Sequence, residues 1–153
     1  MNKDPFYFMK IAYELAIECE QENEVPIGAV VCKNNLIIGK GFNSPISTSD
    51  PCSHAEILAL RSAGKTIGNY RLNGAVLYVT LEPCIMCYSA AVHARIDKIF
   101  FGASDPKSGI FSTGVFKKIK HVFNHDIEVE SGIFAEESSE LLKRFFKDRR
   151  GRD

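Results

Sequence analysis

No stretch of the 153-residue sequence reaches the roughly 18–20 consecutive apolar residues that a membrane-spanning helix needs, so no membrane partner is expected. Net charge is also missing: 19 Lys and Arg balance 19 Asp and Glu. That balance excludes attraction of the whole surface to nucleic acid, so an acidic partner has to be met by a local basic patch. Internal repeats, low-complexity tracts and linker-like segments are absent, and residues 1–153 are expected to form one domain. Cysteine is odd in number, at five, and does not make the disulfide framework of a small secreted domain. A reducing, cytoplasmic compartment is expected. The opening "MNKDPFYFMKIAYELA" carries Asp4 and Glu14 within its apolar pattern and is expected not to be a secretory signal.

What is present reads as alternating helices and strands. "DPFYFMKIAYELAIECEQEN" has an amphipathic pattern, with Asp4 as cap, Pro5 in the first helical position, and Phe8, Ala12, Leu15, Ala16 and Cys19 on one face. "PIGAVVCK" and "LIIGKGFN", separated by "NN", predict a β-hairpin. "CSHAEILALRSAGK" predicts a helix stopping at Gly64, and "GAVLYVT" a strand covered on both faces. "PCIMCYSAAVHARI" predicts a helix opened by Pro83; "KIFFGA" and "HDIEVESG" predict two more strands, and "FAEESSELLKRFFKDRR" a closing helix. The expected fold is a three-layer α/β/α arrangement: a mixed five-stranded sheet with an antiparallel N-terminal hairpin and parallel strands after it.

"LEPCIMC" raises the question of a metal. Cys84 and Cys87 stand three apart at the start of a predicted helix, on one face, where the dipole favours thiolates. Alone, such a pair is also compatible with two core thiols or a redox pair. Upstream, "DPCSHAEILAL" places His54 at another helix start after a strand, with Glu56 two residues on. His-x-Glu, about 26 residues, then Pro-Cys-x-x-Cys is the zinc deaminase signature. His54, Cys84 and Cys87 as ligands leave one tetrahedral position for water, as a catalytic zinc requires. Cys52 is the rival fourth ligand, and with it the site would be closed and structural. Cys19 and Cys32 read as core; His93, deep in its helix, and His121 and His125 near the late loop read as non-ligands. In the open-site reading, zinc makes hydroxide available and Glu56 carries protons from water to the substrate base and then to the departing amino group.

With these motifs the chain resembles the bacterial tRNA-specific adenosine deaminases, of the cytidine-deaminase-like superfamily, over nearly its whole length. "HAEILALR", "LYVTLEPCIMC" and "FGASDPKSG" carry the resemblance, and "NYRL" and "FFKDRR" narrow it to the tRNA enzymes. The resemblance implies one Zn2+ per subunit on His54, Cys84 and Cys87, with Glu56 as proton shuttle. It implies that Asn43 hydrogen-bonds the target nucleotide and that Val25, Pro26 and Ile27 wall the base pocket. Asp105 and Lys107 would lie beside the bound strand, with Phe145, Phe146, Arg149 and Arg150 near the RNA. The implied substrate is the wobble adenosine of a tRNA anticodon stem-loop, most often an arginine tRNA, and the implied assembly is a homodimer. "SGIFSTGVF" departs from the family by its bulk at Ile110 and Phe111.

The segment from Lys143 to Asp153 holds six Lys or Arg against two Asp, which suits a looped RNA, although Leu142, Phe145 and Phe146 have the spacing of a helix core face. Two rivals stand beside the tRNA reading. One is a deaminase of free bases or nucleosides, such as guanine or cytosine. The other is a non-catalytic, zinc-stabilised RNA-binding module, which needs a closed site.

Overall fold

The computed structural model describes residues 3–151; Met1, Asn2, Arg152 and Asp153, the ends of the expected 1–153 domain, lie outside the described residues. Helix α1 (Pro5–Gln21) begins as expected: the Asp4 carboxylate accepts from the N–H groups of Phe6 and Tyr7, and Pro5 takes the first turn. Its buried stripe is Phe8, Met9, Ala12, Ala16 and Cys19; Met9 takes the inward position, and Leu15 is half-buried at the margin. Strands β1 (Gly28–Lys33) and β2 (Leu36–Phe42) form the hairpin across Asn34 and Asn35, both at positive φ as a tight turn of this hand requires. Helix α2 (Pro45–Thr48) is one short turn, and α3 (Ala55–Ile67) follows it.

Helix α3 does not stop at Gly64. Gly64 lies inside the helix, and Gly68, at φ 76°, ends it by adopting the left-handed conformation, its N–H bonding the Gly64 carbonyl. β3 (Val76–Leu81) leads through Glu82 and Pro83 to α4 (Ile85–His93). Cys84 caps α4, so Pro83 precedes the cap instead of occupying the first helical position. His93 closes α4 and is exposed, not deep in the helix. β4 (Lys98–Ala103), α5 (Val115–Ile119), a 3-10 turn (Lys120–Val122), β5 (Glu128–Ser131) and α6 (Ala135–Arg150) complete the chain.

The sheet order is β2-β1-β3-β4-β5, with β1 antiparallel to both neighbours and β3, β4 and β5 parallel. β2 and β3 therefore run the same way, with β1 reversed between them. α1 and α6 cover one face, over Val30, Cys32, Tyr78 and Phe100; α3 and α4 cover the other, over Ala29, Val31, Leu77, Val79 and Ile99. This placement gathers the carboxyl ends of β2, β3 and β4 and the amino end of β1 along one edge, where open α/β sheets take their ligands.

Glycine lets α3 sit close on the hairpin. A Cβ on Gly39 would lie 2.3 Å from the Ala59 carbonyl oxygen and 2.6 Å from the Ala63 nitrogen. Gly39→Ala is therefore expected to cost about 1–3 kcal/mol by overpacking, lowering Tm by roughly 2–12 °C. Thermal unfolding followed by circular dichroism measures this, and an unchanged Tm would contradict the close approach.

Candidate active site

His54 and Cys84 each occupy the cap of a helix that follows a strand ending on the same edge, and Cys87 lies one turn into α4. The spacing of the sequence thus becomes a convergence in space. The Nδ1 atom of His54 stands 3.7 Å from the Cys84 sulfur and 3.5 Å from the Cys87 sulfur. A tetrahedral zinc with ordinary Zn–N and Zn–S bonds would separate nitrogen from sulfur by about 3.6 Å, so the three donors fit the ion. Among the described residues, the metal-capable group is His54, Cys84 and Cys87, with its donor atoms within 4.8 Å of one another. Cys52 is exposed and outside it; its N–H is bonded to the Asp50 carboxylate. The four-ligand alternative is not formed.

The electrostatics suit a cation. A hydrogen bond from Cys87, and then one from His54, pulls the Cys84 thiol down to about 4. The Cys87 thiol is pushed up, first by that same bond to Cys84 and then by burial. His54 is raised, chiefly by its hydrogen bond to Cys84. The first thiolate forms easily and the second is held back, which is the state a divalent ion relieves by displacing protons. Zinc binding at neutral pH is expected to release at least about one proton per chain, and affinity is expected to fall as pH is lowered. Calorimetry in buffers of differing ionisation enthalpy reads the proton count; zero protons would contradict the arrangement.

Glu56 is buried at 4% exposure in the first turn of α3, and its carboxyl shares a cavity with the cluster. Burial is the main cause that pushes it up to about 7, near the value at which one group can both take and give a proton at neutrality. The cavity, of about 850 Å³, is lined by Val25, Ile27, His54, Glu56 and Cys84 at its base. Asp105 and Lys107 form one rim, and Lys143, Phe146 and Arg150 of α6 the other.

Three expected site residues sit elsewhere than on this surface, and a fourth, Asn43, is buried next to His54, which lines it. Pro26, between Val25 and Ile27 in the chain, is buried and does not line the cavity. Phe145 is 7% exposed because α6 turns Ser138, Leu141 and Phe145 toward the sheet, leaving Phe146, 45% exposed, to face outward. Arg149 lies over the Phe145 ring at 5.3 Å and off the cavity lining. Asn43 is also buried: its side-chain oxygen accepts from the Ala55 N–H at 2.8 Å, beside His54. The bulk of Ile110 and Phe111 is turned inward: Ile110 is 1% exposed, and Phe111 joins the rings of Tyr88 and Phe116.

Two buried carboxylates that motif reading passes over organise the walls. Glu24 accepts from the N–H groups of Ile46 and Ser47 and so pins the segment leading to His54. Glu82 accepts from the N–H groups of Asp105, Phe111 and Ser112, each at 2.9 Å, and from the Ser112 hydroxyl. Burial opposes its ionisation, yet the Ser112 hydroxyl and these N–H groups hold it below the ordinary carboxylate value. The one sequence signal for Glu82 is an acidic residue directly behind an apolar, fully covered strand.

Residues 2–103 match the family model of the cytidine and deoxycytidylate deaminase zinc-binding region. The chain is 48% identical over 143 residues to the tRNA-specific adenosine deaminase of Haemophilus influenzae, covering 93% of this chain and 83% of that one. It is 43% identical over 150 residues to the Bacillus subtilis enzyme of the same name, covering 98% and 92%. A solved structure from work on A-to-I editing by tRNA deaminases at the wobble position of transfer RNA superposes with a TM-score of 0.85 at 40% identity, covering 89% of this chain and 99% of that one. A metal-ready histidine–dicysteine cluster beside a buried glutamate, the mixed sheet beneath it and similarity along nearly the whole chain lead to one conclusion: the chain belongs to the tRNA-specific adenosine deaminase family of zinc-binding deaminases.

Proposed function

We propose that the protein converts the wobble adenosine of a tRNA anticodon, that of an arginine tRNA with an ACG anticodon, to inosine, with release of ammonia. The observation that carries this reading is a buried Glu56 opening, beside the three metal donors, into a cavity whose outer rim is basic and aromatic. Zn2+ held by His54, Cys84 and Cys87 supplies Lewis-acid chemistry that makes water acidic near neutral pH. Glu56 takes the water proton and passes it to adenine N1 as oxygen bonds to C6. It then takes the remaining proton from the oxygen now bonded to C6 and hands it to the exocyclic amino group, and the C6–N bond breaks to release ammonia.

Asn43 is held by its oxygen on the Ala55 N–H, which leaves its amide N–H2 to donate to the nucleotide. Val25 and Ile27 form apolar walls for the base, and Pro26, buried between them in the chain, sets their spacing. Asp105 and Lys107 on one rim, and Phe146 and Arg150 on the other, meet the RNA strand; Phe145 packs edge-on against Phe146, and Arg149 lies over Phe145. The basic rim favours RNA over a free base. Residues 1–153 act as one deaminase domain, supported by the packing of α6 on β3 and β4. Pairing of two copies to a homodimer is supported by α4, where Ile85 is 50% exposed beside half-buried Met86, Ser89 and Ala90. Among the described residues no helix is long and apolar enough to cross a membrane, and the tRNA reading places the protein in the cytoplasm.

The test compares an arginine tRNA transcript bearing an ACG anticodon with free adenosine, guanine and cytosine. Inosine from the transcript alone is expected. Turnover of a free base alone would replace the RNA reading with the free-base one, and silence on all four would remove the enzyme reading.

A further inference from the structure

Glu82 lies between the last residue of β3 and the Pro83–Cys84 turn, and is 3% exposed. Its carboxylate faces the loop that follows β4 and holds it by three main-chain N–H groups and one hydroxyl. Bonds of this kind, with an ionised acceptor, are among the stronger ones in a protein. The loop wraps so closely that a Cβ on Gly109 would fall 2.2 Å from the Glu82 carboxyl carbon. Only glycine fits there, so the carboxylate and Gly109 require each other. The Asp105 carboxylate closes the turn by accepting from the N–H groups of Lys107 and Ser108. Residues 104–108 of this loop line the cavity mouth.

We propose that Glu82 is a positioning residue for the substrate strand: it fixes the 104–108 rim to the metal-binding turn and so sets how tightly RNA is held. The assignment rests on the tRNA deaminase reading. None of Glu82's hydrogen-bond partners belongs to the metal cluster or contacts Glu56, so its effect falls on binding and not on the chemical step. The far side of the loop has anchors of its own. The Ile110 N–H bonds the Pro83 carbonyl at 3.0 Å, the Ile110 side chain is buried, and Phe111 sits among Tyr88, Phe101 and Phe116. Loss of the Glu82 bonds therefore loosens the rim while the rest stays packed.

The test uses Glu82→Gln and Gly109→Ala, which reach the same contact from its two sides. In Gln an N–H2 replaces one accepting oxygen and meets N–H donors. For both variants KM for the tRNA transcript is expected to rise roughly tenfold, the worth of one charge-assisted bond, with kcat within about threefold. Zinc is expected to stay at one per chain, and the Asp105, Phe111 and Ser112 amides are expected to exchange hydrogen faster in Glu82→Gln. An unchanged KM, a fall in kcat at constant KM, loss of zinc, or failure of both variants to fold would overturn the assignment. A wild-type protein that forms no inosine would instead remove the deaminase reading, a result distinct from an active wild type whose variants keep their KM.

Discussion

Glu56→Gln is expected to keep zinc and the fold and to lose turnover by roughly 10²–10⁴-fold, the usual worth of a positioned acid–base group. The amide has nearly the shape of the carboxylate it replaces, so the packing around a side chain only 4% exposed is preserved. What it removes is the capacity to accept a proton. Glu56 is asked to do this twice per turnover, first from water and later on the way to the amino group, and among the described residues no other buried carboxylate is free to substitute. Glu82 also lines the cavity, but its oxygens are filled by the Asp105–Ser112 loop. Binding of the tRNA transcript should change little, because the amide adds no charge and the rim residues are untouched. Single-turnover inosine formation with parallel zinc analysis measures the effect. Substantial activity in the variant would remove Glu56 from the proton path.

Cys87→Ala is expected to weaken zinc binding by roughly 10²–10³-fold, about a quarter of the binding free energy of a small zinc site, and to abolish activity. Cys87 is fully buried, and its sulfur is one of the two closest to His54 Nδ1. No side chain can replace it, since Cys52, the remaining cysteine nearby in sequence, is on the surface with its backbone turned to Asp50. Cys52→Ala therefore makes the contrast, with zinc affinity and activity unchanged. Competition with a chromophoric chelator reads both variants. Equal affinity for Cys87→Ala and wild type, or a loss in Cys52→Ala, would mean a different ligand set.

The sequence discloses the metal site because its spacing is enforced locally. Two helix caps and a three-residue step carry the three donors: Cys84 lies three residues behind β3, and His54 follows β2 across the short turn of α2. The hairpin is equally open to reading, since Asn34 and Asn35 take the backbone conformation the turn needs. Features that depend on the partner surface are not. The rotation of α6 decides between Phe145 and Phe146, adjacent residues of one type, and only packing against β3 and β4 turns the first inward. Gly64 and Gly68 both look like helix stops; which one serves depends on where the chain must leave toward Leu72, whose N–H bonds the Ala94 carbonyl. Glu82 escapes a reading of motifs because its partners lie 23, 29 and 30 residues away, and its place behind an apolar strand does not tell what it holds. Glu24 is hidden in the same way, 22 and 23 residues from the N–H groups it holds.

Hydrolytic deamination of one tRNA adenosine takes its oxygen from water, so reaction in water carrying a heavy oxygen isotope tests it. The transcript would be digested to nucleosides and short fragments and weighed by mass spectrometry. One inosine is expected, confined to the wobble position and carrying the heavy oxygen on its base, with one ammonia released for each. Inosine spread over other adenosines, inosine without the label, or no inosine from a zinc-loaded protein would contradict it.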